Sequence, residues 1–159
     1  MTSLDSPATK SLRDWPILLL RIYTGVFFTY YGFGKVRRGD SFADGLAGFV
    51  NGNLENSFGF FRPFLESVVL PNKVLFAYMV SWGELLIGVA MILGLATRYA
   101  AAAGALMVAC FWFAKGQGFL EAQNHDAIWF VIFIVLAGLH AGRVMSVDQK
   151  LVGRFRFLA

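Results

Sequence analysis

The sequence predicts an all-α fold: an integral membrane four-helix bundle with an amphipathic, Phe-rich loop between its first and second helices. Three observations carry this reading. The 159 residues are 57% hydrophobic and 15% charged, where soluble domains run near 45–50% apolar and about 25% charged. The run from Val74 to Thr97 is 24 residues long with Glu84 as its sole charge. A helix rising about 1.5 Å per residue needs roughly 20 apolar residues to cross the hydrocarbon. Finally, that run and the next are separated only by Arg98 and its neighbours, a connection so short that the two must form an antiparallel hairpin.

The elements follow in order within one membrane domain, 1–159. Met1 to Asp14 is polar and mixed in charge. The apolar stretch after it contains Arg21, exceeds a signal-peptide core and is followed by no small-residue cleavage site. It reads as a retained first span over about 15–36. The second span is 74–97, the third about 99–114 and the fourth 127–142, each compatible with a crossing once tilt and snorkelling are allowed. Residues 37–73 form the one long connection. In it Leu46, Phe49, Val50 and Leu54 recur at helical spacing, the signature of an amphipathic helix. Phe58, Phe60, Phe61 and Phe64 follow closely. Such a segment lies in the interface, either as a cap on the bundle or as a docking surface for a partner subunit.

Four crossings place both termini on one side. Seven basic residues fall there: Lys10, Arg13, Arg98, Arg143, Lys150, Arg154 and Arg156. Six fall opposite: Lys35, Arg37, Arg38, Arg62, Lys73 and Lys115. The excess favours cytoplasmic termini. The formal net charge of +4 fits loops facing anionic headgroups, and no basic stripe interleaved with aromatics points to nucleic acid. Cys110 is the single cysteine, so a disulfide or a dithiol redox pair within the chain is excluded.

Polar residues sit on defined helix faces. Arg21, Gly25, Phe28, Gly32 and Lys35 share one face of the first span, and Ala77, Ser81, Glu84 and Gly88 share one face of the second. Small residues on both faces let the two helices approach closely, carrying Arg21 and Glu84 inward. A carboxylate in a span is costly and marks a site or a buried pair. Three readings of Glu84 stand: a structural pair with Arg21, a protonated acid bonded to Tyr or Trp, and a candidate catalytic or ligand-binding group. At the opposite mouth, Lys35, Arg37 and Arg38 end the first span, and Asn124, His125 and Asp126 begin the fourth. They form either an anion- or headgroup-binding mouth or a solvated stop signal with helix caps. No His, Cys, Asp and Glu set has metal-ligand spacing. His125 and His140 lie at opposite ends of one helix and cannot hold one haem between them.

Leu20-Arg21-Ile22 with Gly25 and then Gly32-Phe33-Gly34-Lys35 resembles the first helix of the DoxX/DoxD family. Trp82-Gly83-Glu84-Leu85-Leu86-Ile87-Gly88 and Leu93-Gly94-Leu95-Ala96-Thr97-Arg98 resemble its second helix and hairpin turn. Asn124 and the stretch Gly142-Arg143-Val144-Met145-Ser146-Val147-Asp148 are similar to its close. The resemblance implies a compact four-helix membrane bundle with Glu84 in the family's acidic position. It also implies a setting in a bacterial or archaeal inner membrane, beside other membrane protein subunits. One branch resembles the small subunit of thiosulfate:quinone oxidoreductase; others resemble partners in thiol-redox complexes or assembly factors. The functions to be weighed are therefore an accessory subunit of a respiratory or photosynthetic electron-transfer complex, a quinone-reactive subunit, and a carrier of lipid or solute. Quinone and bound lipid are the candidate ligands.

Overall fold

The computed structural model describes residues 7–139, and every regular element in them is helical. Helix α1 spans Pro7–Arg38, α2 Ser41–Asn53, α3 Arg62–Phe64, α4 Lys73–Leu93, α5 Thr97–Lys115 and α6 His125–Gly138. A π-helical turn, Leu65–Val69, continues α3. Helix α1 starts well before the apolar run that predicts it, with Pro16 inside it at the loss of one backbone hydrogen bond. The end of the expected fourth span, including His140, and the Gly142–Asp148 stretch lie outside the described residues.

Among the described residues, three helices are long and apolar enough to cross a membrane: Trp15–Arg38 within α1, then α4 and α5. The described part of α6 is apolar but has 14 residues. The burial pattern is that of a bundle in lipid. Only 28%, 33% and 39% of the most apolar windows of the three spans are buried, and the large side chains they expose are mainly aliphatic and aromatic. On α4, Leu75, Met79, Trp82, Leu86, Val89 and Leu93 form an exposed stripe at helical spacing. In water such a stripe would drive aggregation; against acyl chains it is the matched surface. The protein is thus a multi-pass membrane protein.

Helix α1 packs against α4, α5 packs against α6, and the hairpin joins α4 to α5. The faces read from sequence are the buried ones. Arg21, Gly25, Phe28 and Gly32 are buried on α1, as are Ala77, Ser81, Glu84 and Gly88 on α4. Glycine makes this contact. A Cβ at Gly25 would stand 2.8 Å from Ile92 Cγ1 and 2.9 Å from the Gly88 carbonyl; one at Gly32 would strike the Leu85 backbone, and one at Gly88 the Thr29 backbone. The helices run antiparallel, with Gly25 beside Gly88 and Ile92, and Gly32 beside Glu84 and Leu85. The core at the centre joins Phe28, Ile87, Met91, Val108, Phe133 and Leu136.

The long connection folds onto this bundle. Helix α2 buries Ala43, Leu46 and Val50, and a second cluster joins Val50 to Leu65, Val69 and Ala114. Phe58, Phe60 and Phe61 each meet the ring of Phe113 on α5, at centroid distances of 6.0, 5.3 and 5.7 Å. The Phe58 amide also donates to the Phe113 carbonyl at 3.1 Å. These phenyl rings cover the bundle, although Phe60 remains 71% exposed.

Candidate functional site

Helix α1 ends its inward face in Lys35, and α4 carries Glu84 at mid-length. The glycine contact sets the two at nearly the same level. Lys35 Nζ donates to Glu84 Oε1 in an ion pair whose side chains are 22% and 7% exposed. The sequence suggested Arg21 as the partner of Glu84. Among the described residues that partner is Lys35, and the helix register gives the reason. Gly32 faces Glu84, and Arg21 lies eleven residues earlier on α1, about 16 Å along the axis. Arg21 is buried at the level of the α4–α5 hairpin, far from the carboxylate in depth.

The second carboxylate comes from α6. Asn124 caps that helix: its Oδ1 accepts from the Ala127 amide at 3.0 Å, and its Nδ2 donates to the Gly118 carbonyl at 3.0 Å. This fixes the first turn, where Asp126 also benefits from the helix dipole. Lys115, the last residue of α5, places Nζ 2.7 Å from Asp126 Oδ2. Both lysines lie against phenyl rings. Lys35 Nζ is 5.5 Å from the centroids of Phe42 and Phe111, and Lys115 Nζ is 6.0 Å from that of Phe49, within cation–π range.

These groups border a cavity of about 830 Å³ between α1, α2, α5 and α6, with Glu84 contributed by α4. Its apolar wall includes Tyr23, Phe27, Phe28, Tyr31, Trp129 and Ile132. Its charged lining is Lys35, Glu84, Lys115 and Asp126, with His125 beside them. Trp129 organises the aromatic wall: its ring lies 4.4 Å from Phe27, 5.4 Å edge-on from Phe28 and 6.2 Å stacked from Tyr23, between centroids. A second cavity, about 260 Å³ and almost wholly apolar, shares Leu46, Phe49 and Phe111 with the first and reaches Cys110 and Phe64.

Of the residues read from sequence as a mouth, Lys35, His125 and Asp126 line the large cavity, while Asn124 is a buried cap. Arg37 and Arg38 do not line it. They are exposed, with Arg37 5.8 Å from the Phe33 ring. Sequence reasoning missed the Lys35–Glu84 and Lys115–Asp126 pairings and the aromatic wall. One signal for the first was present: Gly32 and Lys35 lie three residues apart on one face of α1, so the close approach of Gly32 to Glu84 brings Lys35 within reach of the carboxylate. Nothing comparable joins Phe42 to Phe111 across the chain. No group of three His, Cys, Asp or Glu able to hold a metal occurs among the described residues.

Comparison with known families gives a match over most of the chain. The family model for DoxX aligns with residues 17–117, which takes in α1 to α5 and so Lys35, Glu84 and Lys115. No curated protein matches the chain, and no solved structure does.

Proposed function

We propose that this protein, which belongs to the DoxX family, is a ligand-binding membrane subunit of an electron-transfer complex, and that its ligand is a quinone. The single observation that carries this is the aromatic cavity with a polar end. Ligand sites are typically apolar clefts of about 300–1,000 Å³ with a few placed polar groups, and the cavity of about 830 Å³ falls within that range. A planar ring has Phe27, Phe28 and Trp129 to pack against. Its oxygens have Lys35 as a donor and Glu84 as an acceptor within the same lining. A bound quinone supplies two-electron redox capacity; the chain supplies a ring slot, a charged pair and separation from water. The electrons come from partner subunits, since the one cysteine gives the chain no dithiol of its own. In this reading α6 completes the fourth crossing, and the termini face the cytoplasm of a bacterial or archaeal cell.

The test is fluorescence of Trp129 in lipid nanodiscs titrated with a short-chain benzoquinone. Saturable quenching that Trp129→Phe abolishes is expected, the other tryptophans serving as an internal control. Quenching that is linear and unchanged by Trp129→Phe would remove the quinone from this cavity. The complex is tested separately, by native-gel purification from membranes; a chain that always runs alone sinks the subunit role.

A second reading has its own support. The smaller apolar cavity, sharing Phe49 and Phe111 with the larger, suits an acyl chain, as in a carrier of lipid. Phospholipid co-purifying at a fixed ratio, and displaced by no quinone, would favour it.

A further inference from the structure

We infer that the polar end of the cavity selects a neutral ligand bearing a phenolic hydroxyl, so that the hydroquinone form binds ahead of both the quinone and any oxyanion. This rests on the quinone reading above and sharpens it. Two independent observations support it.

The first is an orphaned acceptor. Glu84 is 5% exposed and lines the cavity. Its Oε1 takes the Lys35 ammonium, whereas its buried Oε2 has no hydrogen-bond partner. A buried acceptor left unmade is expensive, more so when charged. The terminal torsion of Glu is broad, which leaves the carboxylate room to turn toward a donor in the cavity that Glu84 lines. What it lacks is a donor. A quinone carbonyl is an acceptor only and cannot fill the vacancy; a phenolic O–H can.

The second is charge. Lys35 is matched by Glu84 and Lys115 by Asp126, and Arg37 and Arg38 are outside the lining. The charges of the lysines and carboxylates in the lining therefore cancel. An oxyanion such as thiosulfate would have to displace a carboxylate from its lysine inside an aromatic wall, where leaving a charge unpaired is strongly unfavourable. A neutral phenol disturbs neither pair. Its ring face also suits the aromatic wall.

The experiment uses the full chain in nanodiscs and three probes of one shape: a short-chain hydroquinone, its dimethyl ether and the corresponding quinone. Hydroquinone should bind at least about tenfold more tightly than the ether, the scale of a hydrogen bond to a charged group. Millimolar thiosulfate should not compete. In Lys35→Met/Glu84→Leu, which removes the pair as a unit, the ratio should fall to about one while ring binding persists. Equal affinity for hydroquinone and ether overturns the hydroxyl preference and leaves the quinone reading standing, as does displacement by thiosulfate. Failure of all three probes to bind overturns both. Should the double variant not fold, the ratio in the natural chain still decides.

Discussion

Two lysine–carboxylate pairs tie other helices to α4, and they differ in where they sit. Lys73, the first residue of α4, places Nζ 2.7 Å from Asp44 Oδ1 on α2, with side chains 42% and 78% exposed. Lys35 meets Glu84 with Phe42 and Phe111 flanking the ammonium. The outer pair competes with water and salt, and its worth is at most about 1 kcal/mol. The inner pair has given up solvation on both partners, so each charge depends on the other. The same two functional groups are thus a surface detail in one region and a structural and chemical commitment in the other. Helix packing makes the difference, because only the glycine contact between α1 and α4 brings Lys35 inside.

The largest effect should come from breaking that packing without touching either charge. Gly32→Val drives side-chain atoms into the Leu85 backbone. It should cost about 3 kcal/mol, the upper end for an overpacked contact, seen as a lower midpoint of denaturant unfolding in micelles; a midpoint within error of the natural chain would show that the helices are not held by close contact. Next comes Lys35→Met, which strands a buried carboxylate and should cost about 3 kcal/mol, the lower end for such pairs because Lys35 retains some exposure. Adding Glu84→Leu should recover most of that loss, and simple additivity of the two changes would mean the pair is not coupled.

Lys115→Met probes an intermediate case, since the side chains of Lys115 and Asp126 are 28% and 14% exposed. A loss of about 1–2 kcal/mol is expected, with altered Trp129 emission from the shared cavity; emission unchanged by the substitution would count against that shared setting. Lys73→Met should move stability by less than about 1 kcal/mol. Raising salt from low to molar should shrink even that difference while leaving the Lys35→Met loss in place. A salt response of equal size in both would erase the contrast between the two regions.

Much of the architecture was legible in the chain. The apolar runs announced the spans, the spacing of Leu46, Phe49 and Val50 announced α2, and the small residues marked the inward faces of α1 and α4. Those signals are local: they depend on periods of a few residues. The partner of Glu84 was harder. The sequence offered Arg21 as one candidate partner, but the glycine register carries Arg21 to the hairpin end of α4. Depth read from hydropathy has an error of several residues, and a side-chain ion pair tolerates almost none.

By itself the sequence determined that this is a multi-pass helical membrane protein of the DoxX family, with a carboxylate committed to the interior. Burial of apolar length and the repeat of small residues are properties of one helix at a time. Only the tertiary structure decided that Lys35 neutralises Glu84, that Lys115 meets Asp126, and that residues from five helices line one aromatic cavity. Those outcomes depend on the relative register of α1, α2, α4, α5 and α6, and register is fixed by contacts between segments far apart in the chain.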